Sequence, residues 1–306
     1  MSSRRIPASA AERAGEATRQ QAARRVVRVL SVLALFGRNR AVELLMRAMF
    51  GDVVEADGQL YHVDPRDRVS GLLMRRRGFL NPPETWLYKR LLRPGMVAVD
   101  LGGNIGYFTL LFARSVGAAG RVIAFEPDAG NMSMLRRSAE ENGYANITPE
   151  MCAVADTVGE ISLWQAPENF GDHRVRRTAM DRPSVTVPLV TLDSYFAPGS
   201  RVDFVKMDIQ GAEQAALTGA RRVLEENPGI VIAAEYWAEG IREYGGDPAA
   251  MLHDLAAMGF RLSMIGEPGT RPTPIEGAEG IERLAASPKT YDLLFHRADL
   301  VLAEPA

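Results

Sequence analysis

Short apolar runs alternate with amphipathic stretches along most of the chain. Residues 97–99 form a compact run of small and β-branched apolar residues, the pattern of a strand buried on both faces. The run ends at Asp100 and breaks into Gly102, Gly103 and Gly106. Apolar positions then recur with helical spacing at Phe108, Leu111 and Phe112, which predicts a helix over 107–116. A second strand is predicted over 121–125, a helix over 128–142 and a third strand over 147–154. A hairpin follows, from 160–164 and 184–189. After it come a fourth strand over 202–208, a helix over 212–225, a fifth strand over 230–235 and a late strand over 291–295. The Pro- and Gly-rich stretch 266–288 reads as a loop. Upstream, alternating segments around Asp57-Gly58 predict a hairpin, and residues 84–92 a helix stopped by Arg93-Pro94-Gly95. Strands alternating with helices give an α/β fold with a mostly parallel sheet.

Composition adds few restrictions. Apolar content of 46% and charged content of 24% are ordinary for a globular protein, and 306 residues can bury a substantial core. The single cysteine, Cys152, excludes an internal disulfide framework, and the four scattered histidines have no metal-ligand spacing, so no metal is expected. Charge is unevenly placed. Residues 1–50 hold ten Arg and three Glu, a balance of +7, within a chain of net charge −2. Residues 1–20 read as disordered, 21–80 as a helical and hairpin extension, and 81–306 as the main domain. The apolar run 26–36 is short, starts late and is followed by no small-residue cleavage site, unlike a signal peptide. Two readings of this basic segment stand. It docks as a helix on the main domain or on a second subunit, or it touches an anionic membrane surface. A cytoplasmic location, with that peripheral membrane contact as the variant, is the expectation.

Strand, glycine turn and helix together make a nucleotide-binding geometry, because glycines let a ligand approach the backbone and the helix start presents unpaired N–H groups. Leu101 breaks the dinucleotide register G-x-G-x-x-G. A carboxylate at Asp100 repels a pyrophosphate and attracts a cation such as the ammonium of a methionine moiety. Glu126, at the tip of the second strand, can accept from both ribose hydroxyls. The pair points to S-adenosylmethionine. Asp156, after the third strand, either accepts from the adenine amino group or only begins a turn. Asp208 ends the fourth strand and Glu235 the fifth, on the same rim as Asp100 and Glu126. Glu213 either faces the reacting group or is a first-turn helix acid. Asn169, His173 and Arg174 lie in the polar loop of the hairpin, a candidate substrate lid with His173 otherwise a surface histidine.

At these residues the chain resembles the FkbM family of S-adenosylmethionine-dependent methyltransferases. The resemblance rests on residues 100–108, 125–127, 191–193, 206–213 and Glu235, and spans about 94–266. It implies a Rossmann-like class I methyltransferase sheet of seven strands, the last antiparallel, with helices on both faces. It also implies O-methylation of a hydroxyl on a sugar, glycan or natural product. Asp100, Gly102, Asn104 and Gly106 would line the methionine end of the cofactor, Glu126 the ribose, and Asp208 the methyl and the acceptor. Gln210 stands where the family often has Glu, and Gly103 where Ala is frequent. An alcohol must lose its proton, so Asp208, Glu213 and His173, in that order, are the candidate bases, with Glu235, Asn169 and Arg174 toward the acceptor. The rivals are a nicotinamide or flavin enzyme, a cofactor-binding protein without acceptor chemistry, and a methyltransferase of nucleic acid or protein. The acidic main domain argues against nucleic acid as partner.

Overall fold

The computed structural model describes residues 51–64, 67, 74, 78–166, 171–175 and 182–303. The expectations for residues 1–50, and for Asn169, lie outside the described residues.

The hairpin at Asp57-Gly58 is present as β1 (Val53–Ala56) and β2 (Gln59–His62), antiparallel. Next in the chain are α1 (Pro82–Leu91), β3 (Val97–Leu101), α2 (Tyr107–Val116), β4 (Arg121–Phe125), α3 (Ala129–Glu141) and β5 (Ile147–Glu150). The insertion follows as β6 (Ala153–Val154), β7 (Gly159–Trp164) and β8 (Ser184–Val190). The second half carries the short α4 (Leu192–Tyr195), β9 (Phe204–Met207), α5 (Glu213–Thr218), α6 (Arg221–Glu226) and β10 (Val231–Trp237). It ends with α7 (Ala238–Tyr244), α8 (Pro248–Ala257), β11 (Arg261–Met264), β12 (Thr273–Pro274), α9 (Gly277–Ala285) and β13 (Thr290–His296).

Among the described residues the main sheet has eight strands in the order β12-β11-β13-β10-β9-β3-β4-β5. β5, β4, β3, β9 and β10 run parallel, and β13 lies antiparallel between β10 and β11. The expected seven strands with an antiparallel last one are therefore all there, and the two-residue β12 adds an edge. Helices cover both faces. One apolar cluster joins Val99, Leu101, Val205 and Met207 to residues of α6, α8 and α9. The other joins Ala98, Phe204, Ala233 and Leu294 to α1, α2 and the β1–β2 hairpin. The hairpin is bound to α3 by the Leu60 N–H, which donates to Asn142 Oδ1 at 3.0 Å, and the His62 N–H, which donates to Ser138 Oγ at 2.9 Å.

Three expectations change. The third strand stops at Glu150, and residues 153–154 pair instead with β8 in a three-stranded sheet. Residue types alone do not mark that change of sheet, although Pro149 fits an edge strand such as β5. The helix expected over 212–225 is broken into α5 and α6. The chain at Gly219 passes so close to Ala155 that a Cβ would meet its carbonyl oxygen at 2.1 Å, and Asp193 caps the new helix through the Arg222 and Val223 N–H groups. The 266–288 loop contains α9, whose Ile281, Leu284 and Ala285 are buried, despite its flanking Pro and Gly. Among the described residues no helix is long and apolar enough to cross a membrane, and no group of three or more His, Cys, Asp or Glu is placed to hold a metal ion.

Candidate active site

The cleft opens at the carboxyl ends of the parallel strands, between β3, β4 and β9, where an open α/β sheet places its ligands. The glycine turn is built by contacts between neighbouring strand ends. The Gly102 and Gly103 N–H groups both donate to the Phe125 carbonyl, at 2.9 and 3.0 Å. Gly102 has φ +81°, and a Cβ there would lie 2.0 Å from the Asp208 carbonyl oxygen. Only glycine satisfies both demands. Asn104 also has positive φ, and its N–H donates to Glu126 Oε2 at 2.8 Å. The other oxygen of Glu126 accepts the Asp128 N–H at 2.8 Å. Glu126 therefore ties the glycine turn to the turn that starts α3. Burial pushes its carboxyl up to about 7, against the pull of those N–H groups. Gly106 takes the left-handed N-cap position of α2, behind the stretch from Gly102 to Ile105 that lines the cleft.

Asp100 is fully buried and also lines the cleft. Thr109 Oγ1 donates to its Oδ2 at 2.6 Å. Its Oδ1 has no hydrogen-bond partner among the described residues, and the Lys206 ammonium stands 3.8 Å away. Burial pushes this carboxyl up, while Lys206 and Thr109 draw it down. The unsatisfied oxygen fits a cationic ligand group. The opposite wall of the cleft, with Phe125, Val154, Leu163 and Val175, is apolar and suits a flat ring.

The other end of the cleft, where the acceptor is expected from the sequence, follows from strand alternation. Ala98 and Phe204 face the α1–α2 side, so Asp100, Lys206 and Asp208 emerge on that face. Glu235 on β10 and Asp292 on β13 stand directly opposite each other and share it. Asp208 lines the cleft with 34% of its side chain accessible. Its Oδ2 lies 3.4 Å from Lys206 Nζ, and its Oδ1 accepts from Gln210 Nε2 at 2.7 Å. The same Gln210 nitrogen donates to Glu235 Oε2 at 2.8 Å. The Gln210 amide thus bridges two carboxylates. Burial and the neighbouring Asp208 push Glu235 up to about 9. Burial and Asp208 likewise push Asp292 up to about 6. From α1, the buried Glu84 accepts from Tyr88 and Asn81 at 2.6 and 2.7 Å.

The other predicted residues are placed differently. Glu213 is buried beneath the 209–211 turn and accepts the Ile209 and Gly211 N–H groups at 3.0 Å each. It holds that turn and does not face the cleft. His173 lines the cleft, but its Nδ1 accepts the Ala166 N–H at 2.9 Å and its Nε2 lies 3.7 Å from Asp128. It pins the 171–175 segment to the start of α3, and burial lowers its pKa against the pull of Asp128. Arg174 pairs with Asp172 and Glu243 and stacks 4.4 Å over Trp237, away from the cleft wall. Asp156 is exposed in the turn after β6 and outside the cleft, because the third strand ends earlier than expected. Sequence reasoning overlooked Lys206, Thr109, Asn81, Glu84 and Asp292. Lys206 did leave a signal, a lone cation inside an otherwise apolar strand.

The methyltransferase FkbM domain matches residues 100–262, rather more than half of the chain. No curated protein matches in sequence. Among solved structures, an S-adenosylmethionine-dependent O-methyltransferase from Thermotoga maritima is 14% identical, with a TM-score of 0.43, over 81% of this chain and 78% of that one. An rRNA methylase from Streptococcus thermophilus is 11% identical, with a TM-score of 0.41, over 72% and 98%. The TYW2 protein of M. jannaschii, solved with AdoMet, is 14% identical, with a TM-score of 0.42, over 80% and 86%. On the domain match, the chain belongs to the FkbM methyltransferase family, and S-adenosylmethionine is its cofactor.

Proposed function

We propose that the protein methylates a hydroxyl group on a sugar, glycan or natural product. The observation that carries this reading is Asp208. It is a carboxylate at the cleft, partly accessible, and held by Lys206 on one oxygen and Gln210 on the other. A hydroxyl seated beside it can hand over its proton as the oxygen attacks. Bound S-adenosylmethionine would supply a methyl group activated by its sulfonium charge. Asp100 and the 102–106 turn would hold the methionine end, Glu126 the ribose, and the apolar wall the base. Glu126 has further lone pairs beyond the two backbone N–H groups it already accepts. The remaining work is alignment of the acceptor oxygen and exclusion of water. Asn81 and Gln210 line the cleft beside Asp208 and supply polar groups for an acceptor. Lys206 is the one Lys or Arg among the described residues that line the cleft, and it already faces Asp208 and Asp100, so the cleft offers no basic groove to a phosphate backbone, which favours a neutral acceptor over nucleic acid.

Incubation with methyl-labelled cofactor and fractionated cell extract, followed by mass spectrometry, tests the reading. A small-molecule or glycan product whose label resists mild alkali, as a methyl ether does, is the expected result. Label confined to nucleic acid, to protein or to an alkali-labile ester overturns it.

A further inference from the structure

Lys206 is the cation around which both ends of the cleft are arranged. The chain has 36 lysines and arginines, and only three are lysines, Lys89, Lys206 and Lys289. The buried position in the middle of the sheet holds one of these. Its ammonium is a compact point charge on a flexible stem, which two acids can share without the fixed fork geometry of a guanidinium. Its Nζ lies 3.4 Å from Asp208 Oδ2 and 3.8 Å from Asp100 Oδ1, and 5.2 Å from the centre of the Phe108 ring. Neither carboxylate contact has closed to the ~2.8 Å of a full charge-assisted hydrogen bond. The ammonium therefore stands between two partners on adjacent strands, Asp100 being directly opposite it in the β3–β9 register. Glu84 from α1, Glu235 from β10 and Asp292 from β13 are the other charged groups that act on this centre, with Glu213 behind Asp208. Burial works against the charge on Lys206, and the surrounding carboxylates outweigh it.

We infer that Lys206 is a positioning residue that couples the two ends of the cleft: its shared ammonium moves toward Asp208 when a cationic group occupies Asp100. The inference rests on the reading that Asp100 faces the cofactor's ammonium. An empty site leaves Lys206 divided between the two acids. A ligand ammonium at Asp100 repels Lys206 and satisfies the carboxylate that held it. Lys206 then closes on Asp208 and fixes the acceptor-end carboxylate. Cofactor occupancy thus prepares the acceptor end, and by reciprocity Asp208 affects cofactor affinity.

Calorimetry with S-adenosylhomocysteine, which carries the same ammonium, tests this on the full chain without any acceptor. In the parent, Asp208→Asn lets Lys206 turn to Asp100 and compete with the ligand, so binding weakens about three- to tenfold. In a Lys206→Met background the same Asp208→Asn change alters binding less than about twofold, and Lys206→Arg regains part of the coupling. An effect as large without Lys206 as with it overturns the inference. A second readout needs no Lys206→Met variant. The nitrogen resonance of the Lys206 ammonium, assigned by eliminating Lys89 and Lys289 as arginine variants, shifts on saturation with S-adenosylhomocysteine, and the shift shrinks in Asp208→Asn. A resonance that does not move, or moves equally in Asp208→Asn, also overturns it. Absence of S-adenosylhomocysteine uptake by folded parent protein would instead sink the assignment of the cleft itself.

Discussion

The two ends of the cleft hold their carboxylates in different ways. At the cofactor end, Glu126 accepts backbone N–H groups from Asn104 and Asp128, and Asp100 accepts from Thr109 nine residues along. Each acid there is fixed by a turn or helix close to it in sequence or on the neighbouring strand tip. At the acceptor end, Lys206 and Gln210 hold Asp208, Gln210 also holds Glu235, and Tyr88 and Asn81 hold Glu84, with Asp292 opposite Glu235, so the four acids come from separate elements. Backbone N–H groups hold Glu126 and a side chain of the next helix holds Asp100, whereas side chains reaching between separate elements hold the second set. A local backbone device tolerates no change of residue type, whereas a side-chain network responds to charge and to pH.

The largest expected effect lies at the acceptor end. Asp208→Asn keeps the size of the side chain and removes its basicity, so turnover falls about 10²–10⁴-fold while S-adenosylhomocysteine still binds within about tenfold of the parent. Calorimetry beside a turnover assay separates the two quantities. Parental turnover in the variant would leave Asp208 as no more than a neighbour of the reaction. Next in size is Gly102→Ala at the cofactor end. The new methyl would fall 2.0 Å from the Asp208 carbonyl oxygen, at a backbone angle that side chains rarely adopt. The loss is about 3 kcal/mol in urea unfolding, from strain and overpacking together. A loss under about 1 kcal/mol would show that this turn yields more readily than its contacts indicate. Asp100→Asn comes third. It keeps the Thr109 contact and deletes the charge offered to the cofactor's ammonium, so S-adenosylhomocysteine binds about 10–100-fold more weakly. An unchanged affinity would move the ammonium to another group.

The same contrast explains what the sequence made legible. The glycine turn, Asp100 and Glu126 lie within a single stretch of 27 residues, 100–126, and each local demand leaves its residue type in place. The order of strands and helices was equally legible through that half, because buried parallel strands are near-continuous apolar runs. Errors began where one run served two sheets, at 147–154, and where a contact with Ala155 broke a helix at Gly219. The role given to Glu213 failed for a related reason. A carboxylate after a strand end reads the same whether it turns to the cleft or caps its own turn, and here it caps the 209–211 turn. His173 was placed at the cleft, yet its partners Ala166 and Asp128 make it a fastening for the 171–175 segment. Alternation did carry an unused signal. Positions 204, 206 and 208, and 233 and 235, alternate along their strands, so Lys206, Asp208 and Glu235 had to share the face of Phe204 and Ala233. Glu84 had no such signal, since only packing of α1 over the sheet brings it there.

The smallest expected effect tests whether the acceptor-end network is charged throughout. Burial, reinforced by Asp292, pushes the Glu84 carboxyl from 4.5 up to about 8, with Lys206 and Tyr88 pulling the other way. At neutral pH the folded protein therefore keeps a proton that the unfolded chain has lost. Stability from this group is fully present below about pH 4.5, declines as pH rises, and is gone once pH has passed through 8. Glutamine resembles the protonated acid. In Glu84→Gln its oxygen still accepts from Tyr88, and its amide donates to Asn81 once the Asn81 amide turns over. At pH 7 the substitution should change unfolding free energy by less than about 1 kcal/mol, against the several kcal/mol expected for removing one partner of a fully charged buried pair. Above pH 8 the variant becomes the more stable protein, because it has no proton to give up. Urea unfolding at pH 6, 7 and 9 would show the two curves converging and then crossing. A variant several kcal/mol less stable at pH 7 would mean that Glu84 is ionised beside Lys206, and that the acceptor end holds one more full negative charge than its geometry assigns.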